Sequence, residues 1–162
     1  MKIKFKKLHP DAIQPTKNLG DAGYDLYSME DYVLKPLERK VFHIQIALEI
    51  PEGYYEQIKD RSGNALKKGL HVMGGVIDST YRGSIGAILI NLDQKHDFQF
   101  VQDMDGDGGR YFPITSNQSV EIKKGDKIAQ IIFKKYEEVE LEEVNELSQT
   151  ERSEKGFGSS GN

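Results

Sequence analysis

The chain has 162 residues, 22 basic and 26 acidic, a formal net charge of −4 and no cysteine. That length suits one domain with a proper core, and the charge balance offers no large basic field for DNA or RNA. Without thiols there are no disulfides or thiolate zinc sites, and His9, His43, His71 and His96 lie too far apart for a short-spaced metal motif.

No apolar run reaches the length of a membrane span, and MKIKFKKLHP lacks the apolar core of a signal peptide, so a cytoplasmic protein with no membrane partner is expected. In chain order, IKF reads as a first short strand. AGYDLYS (22–28) then sets Asp25 among aromatics. In KVFHIQIALEI the residues Phe42, Ile44, Ile46, Leu48 and Ile50 alternate with more polar ones, which predicts one half-buried strand.

The one helix expected runs from Ser62 to Lys68, with Ser62 as cap and Gly69 as stop. Arg61 before it and Gly63 just inside make its start either an anion site or an ordinary capped turn. GGVIDSTYRGSI (74–85) reads as a hairpin carrying Asp78 and Tyr81. Strands follow at SIGAILIN, DFQFV, SVEI, KIAQIIF and VELEEV, with PEG, GG and KKGD as turns between elements. Many short strands with frequent turns argue for an all-β sandwich or barrel. At the end, KGFGSSGN contains G-x-G-x-x-G, yet one residue after Gly161 leaves no helix to complete a dinucleotide site.

Taken together, AGYDLYS, RSGNALKKG, GGVIDSTYRG, GDKIAQIIF and RSEKGFGSSG resemble, in order and spacing, the five motifs of the trimeric dUTPase family. The last motif departs from the usual form, with Ser153 and Lys155 where glycines are common. The resemblance implies a jelly-roll or barrel over residues 1–148 with a mobile arm over 149–162. It also implies hydrolysis of dUTP to dUMP and pyrophosphate, which keeps uracil out of DNA and supplies dUMP.

On this resemblance Asp78 activates the attacking water and Gln130 helps place it. Arg61, Ser62 and Gly63 grip phosphate, and Tyr81 stacks under the deoxyribose. Backbone groups around Gly75, Val76 and Ile77 read uracil. Arg152, Phe157, Gly158, Ser159 and Ser160 close the site from a neighbouring subunit of a homotrimer. Mg2+ would ride on the triphosphate, with no direct protein ligand and Asp25 at most reaching it through water.

Between SIGAILIN and IKKGDKIAQ lies an insert, residues 97–119, that resembles those of staphylococcal phage dUTPases. This implies a second role, binding a pathogenicity-island repressor, and a place in the host cytoplasm if the chain is phage-encoded. Within the insert Asp103, Asp105, Asp107 and Gly108 fit half of an EF-hand loop, but Ile114 stands at the twelfth position, so an exposed hairpin or loop is expected there instead of a calcium site. Two rivals remain. A dCTP deaminase needs a catalytic Glu where this chain has Ile88, and a nucleotide-sensing regulatory protein would keep the site without relying on turnover.

Overall fold

Thirteen strands and one helix form among the described residues, which in this computed structural model are 1–102, 109–150 and Ser153, with the backbone alone described at 94–101 and 111–117. Tyr24–Tyr27 (β2), Tyr54–Lys59 (β6), Val76–Ile77 (β8) and Lys127–Lys135 (β13) form one sheet in the order β2-β13-β6-β8. Arg39–His43 (β4), Leu70–Met73 (β7) and Gly86–Asn91 (β9) form a second, in the order β4-β9-β7. Lys4–Lys7 (β1) pairs with Ile46–Glu49 (β5), and Tyr32–Leu34 (β3) with Val120–Ile122 (β12). Every pairing is antiparallel. The all-β expectation with one short helix holds.

Inward-facing residues of these sheets meet in one core that includes Leu26, Leu34, Phe42, Ile58, Leu89 and Ile131. The alternation read in KVFHIQIALEI is real, since Phe42, Ile44, Ile46, Leu48 and Ile50 are all buried. It does not form one strand, however. Gln45 adopts a left-handed φ of 60°, ending β4 and starting β5 in a different sheet. Its N–H is taken by Ser84 Oγ at 3.1 Å, so the corner is held from outside the two strands.

Two other expectations are corrected. GGVIDSTYRGSI is not a hairpin: β8 adds to the edge of β6, whereas β9 lies between β4 and β7. Gly74 and Gly75, with φ of 68° and 98°, turn the chain from one sheet to the other. VELEEV forms no strand, because no strand of the described chain pairs with it, and Val139, Leu141 and Val144 stay exposed.

The helix (α1, Ser62–Lys68) has the expected bounds and ends on Gly69 in the left-handed region, but Arg61 occupies the N-cap without a side-chain cap and Ser62 is the first helical residue. Gly69 is required twice over, because a Cβ there would lie 2.4 Å from the Asp93 nitrogen. None of the described helices is long and apolar enough to cross a membrane.

The insert is a hairpin of two nine-residue strands, Gln94–Gln102 (β10) and Gly109–Asn117 (β11), paired only with each other. Buried Asn91 fixes its stem: Nδ2 donates to the Leu34 and Gln118 carbonyls at 3.0 and 2.7 Å, and Oδ1 accepts from the Asp93 N–H at 2.8 Å. Asp103, Asp105, Asp107 and Gly108 lie outside the described residues.

One core position is costly. Glu56 on β6 is 2 % exposed, its Oε2 has no hydrogen-bond partner, and burial pushes its carboxyl from an ordinary 4.5 up to about 7. The folded state therefore holds this proton more tightly than the unfolded chain. The contribution to stability is greatest below about pH 4.5, falls as pH rises towards 7 and is flat above, a change of about 3 kcal/mol. Glu56→Gln should gain on the parent by about that amount between pH 4.5 and pH 8, read from denaturant unfolding at matched protein concentration. An identical difference at both pH values would show that Glu56 does not titrate in the fold.

Candidate active site

Strand β13 builds the first cleft by pairing with β2 on one side and β6 on the other, which sets Gln130 across from Asp25 and from Lys59. The register with β2 slips between Lys127 and Ala129. In a regular strand Lys127 and Gln130, three apart, would face opposite sides. The irregularity lets both line the same cleft, of about 610 Å³.

Asp25 is the electrostatic centre of that cleft. Arg61 Nε donates to its Oδ1 at 2.8 Å and Lys127 Nζ to its Oδ2 at 2.7 Å. The hydrogen bond to Asp25, and then its charge, raise the Lys127 ammonium above its ordinary pKa, so the lysine stays protonated. Arg61 Nη1 also donates to the Lys127 carbonyl at 3.3 Å, and Asn64 Nδ2 to the carbonyls of Lys127 and Ile128 at 2.8 and 3.3 Å. Helix and strand are thereby locked together at the site.

At the helix start the Asn64 and Ala65 amides bond to the Arg61 carbonyl at 2.9 and 3.0 Å. The Ser62 and Gly63 amides have no acceptor among the described residues, and both residues are exposed in the cleft. Free amides beside Arg61 and Lys127 suit an anion. Gln130 Nε2 donates to the Asp60 carbonyl at 2.7 Å, and Gly23 makes room for the amide, since a Cβ there would fall 2.4 Å from Gln130 Oε1.

The second cleft, of about 320 Å³, is lined by Val76, Ile77, Asp78 and Tyr81, together with His43 and Ile88. Gly75 seats this segment on β6: Ile58 N–H donates to its carbonyl at 2.8 Å, and a Cβ at Gly75 would meet the Ile58 carbonyl oxygen at 2.7 Å. The turn that follows is closed by Tyr81 N–H on the Asp78 carbonyl at 3.1 Å and braced by Arg82 Nη1, which donates to the Ser79 and Tyr81 carbonyls at 2.5 and 2.8 Å. The Tyr81 ring folds back over Gly83, whose Cβ would collide with the phenol oxygen at 2.3 Å, and its hydroxyl donates to the Ser84 carbonyl at 3.2 Å. Asp78 is exposed, and no hydrogen bond or ion pair to its carboxylate is present among the described residues.

Of the residues expected at the site, Asp25, Arg61, Ser62, Gly63 and Gln130 come together in the first cleft, and Val76, Ile77, Asp78 and Tyr81 in the second. Among the described residues the two clefts share no lining residue. Gly75 lies beneath the second, against β6. Arg152, Phe157, Gly158, Ser159 and Ser160 fall outside the described residues. Lys127, Asp60 and His43 were not expected at the site from the sequence, although the lysine of G-D-K opening a strand was a visible cation.

The family model for dUTPase matches residues 10–103 and 100–161, so the two matched stretches meet inside the insert hairpin. A deoxyuridine 5'-triphosphate nucleotidohydrolase of Nautilia profundicola is 42 % identical over 164 residues, covering 99 % of both chains. The Staphylococcus bacteriophage 80alpha dUTPase with dUPNHPP superposes with a TM-score of 0.79 at 35 % identity, covering 99 % of this chain and 98 % of that one. It was described among phage dUTPases that control transfer of virulence genes by a proto-oncogenic G protein-like mechanism.

The dUTPase of phage phi11 of S. aureus, solved with its species-specific insert visualised, gives a TM-score of 0.73 at 31 % identity over 93 % of this chain and 100 % of that one. A variant of it, 30 % identical with a TM-score of 0.73 over 92 % and 100 %, coordinates a structural Mg(II) ion. Five motifs, an all-β fold and full-length similarity agree, and the chain belongs to the dUTPase family of deoxyuridine 5'-triphosphate nucleotidohydrolases.

Proposed function

We propose that dUTP is hydrolysed at sites shared between subunits of a homotrimer, each first cleft being completed by the second cleft of a neighbour. The observation that carries this reading is the separation of Asp78 and Tyr81 from Arg61, Ser62, Gly63 and Gln130 within one chain. A phosphate grip and a general base in different clefts cannot act on one phosphorus unless another chain supplies one of them.

In the shared site Arg61 and the Ser62 and Gly63 amides hold the phosphates while Gln130 orients the water. Asp78 takes the water's proton as oxygen attacks the alpha-phosphorus in line and pyrophosphate departs opposite. Tyr81 packs under the deoxyribose where a 2'-hydroxyl would collide, and backbone groups at Gly75, Val76 and Ile77 read the uracil edge. Arg152 and Phe157, with Gly158, Ser159 and Ser160, close over the nucleotide as a lid. Ile88 lines the cleft of Asp78, where a deaminase would need a carboxylate, which further supports hydrolysis.

The donor set agrees with Mg2+ carried on the triphosphate. Both Asp25 oxygens are already paired with cations, and no group of three His or acidic residues suited to a metal occurs among the described residues. Asp25 would reach the ion at most through water. When bound with the nucleotide, Mg2+ would supply charge neutralisation to the triphosphate, while Arg61 and the Ser62 and Gly63 amides hold it.

Asp78→Asn should keep the fold and dUTP binding and lower kcat by about two to four orders of magnitude. Pyrophosphate release with dUTP, dCTP, dTTP and UTP side by side checks this, with dUTP strongly preferred. Near-parental turnover by the variant would remove Asp78 from the mechanism.

A second role, binding a repressor protein, is favoured by the insert. Its strands pair only with each other, and none of the described residues lining either cleft belongs to it. Joining His96 to Thr115 through a two-residue turn keeps Asn91's bonds to the stem. That shortened protein should hydrolyse dUTP within about twofold of the parent, as expected for a surface appendage, while losing repressor in a pull-down. Unchanged repressor binding would exclude the insert as the docking surface.

A further inference from the structure

We propose that Asp60 is a positioning residue for hydrolysis: its backbone carbonyl fixes which way the Gln130 amide points, and its carboxylate anchors that carbonyl to β7. Asp60 sits between the end of β6 at Lys59 and the N-cap Arg61 of α1. Gln130 Nε2 donates to its carbonyl at 2.7 Å. Its carboxylate reaches elsewhere, Oδ1 accepting from the Val72 N–H at 2.5 Å and Oδ2 lying 2.9 Å from His71 Nδ1.

The chemistry follows from donor and acceptor roles. A carbonyl accepts and cannot donate, so the Gln130 NH2 must face Asp60 and its Oε1 must face Gly23 in the cleft. An acceptor oxygen is what an attacking water needs to have one proton held. With the amide reversed, N–H donors would face that water instead and leave Asp78 to orient it alone.

The carboxylate makes this orientation durable. Asp60 lies in the two-residue connection between β6 and α1, outside both elements, and its carboxylate gives the peptide that Gln130 meets a further tie to β7. Val72 belongs to the core and pairs with Leu89 in the second sheet, which makes it a rigid anchor. One residue thus ties the orientation of Gln130 to the packing of a different sheet.

The inference rests on the role proposed above for Gln130, and a double-mutant cycle in the full-length protein separates the two. Asp60→Ala should lower kcat for dUTP by about tenfold to a hundredfold with KM within about threefold, as expected when a reacting group is misplaced. Asp60→Asn, which keeps an acceptor for the Val72 N–H, should stay within about threefold of the parental kcat. The double variant Asp60→Ala, Gln130→Ala should be no slower than Gln130→Ala by more than about twofold, because Asp60 acts through Gln130.

Full turnover by Asp60→Ala, or multiplied losses in the double variant, would overturn the proposal. Parental turnover by Gln130→Ala would sink the role of Gln130 first and that of Asp60 with it. Should Asp60→Ala fail to fold, Asp60→Ser, whose hydroxyl is too short to span both partners, enters the same cycle with the same outcomes.

Discussion

Strand β13 is the element on which the rest of the site depends. It is the one described strand paired with both β2 and β6, and so it draws Asp25 from the first motif, Arg61 from the second and Gln130 from its own into one cleft. Its slip in register turns Lys127 to the same side, where the ammonium and the Arg61 guanidinium share the two oxygens of Asp25. Remove the pairing and no local preference of these segments would bring the charges together. The cleft is a product of sheet geometry, and the chemistry follows from it.

The same sheet explains why half the machinery lies elsewhere. β8 adds to the far edge of β6, so Gly75, Val76 and Ile77 are held by backbone contacts to Glu56, Gln57 and Ile58, while Asp78 and Tyr81 follow in a turn facing another cleft. On the proposed reading, phosphate binding and proton transfer fall to different surfaces of one chain. Each surface is built with close tolerances: Gly23, Gly75 and Gly83 all occupy places where a Cβ would collide with a neighbouring atom. Such tolerances are what a preorganised site requires.

Much of this was legible in the sequence. Alternation located the core residues from Phe42 to Ile50, the helix was bounded correctly although its expected Ser62 cap was not formed, and the motif set identified the family. What remained hidden has physical causes. Periodicity of two continues through a corner if the inward faces still meet, so the break at Gln45 left no trace in the pattern. VELEEV alternates like a strand, but a strand also needs a partner edge, which local sequence does not report. The apparent hairpin of 74–85 failed for a related reason, because its two arms are recruited by different sheets. Lys127 joins the cleft through the register slip with β2, which turns it to the same side as Gln130 despite their three-residue spacing. Asp60 carries no motif at all, and its importance lies in a carbonyl.

The central claim, that the site is completed between chains, is tested most directly by complementation. Arg61→Ala and Asp78→Asn proteins, each inactive alone, are unfolded together in equal amounts and refolded as mixed oligomers. If sites are shared, about a quarter of them in random trimers pair an intact Arg61 from one chain with an intact Asp78 from another, and dUTP turnover returns to that level. No recovery in verified mixed oligomers would contradict the account and place both halves of the chemistry within a single chain.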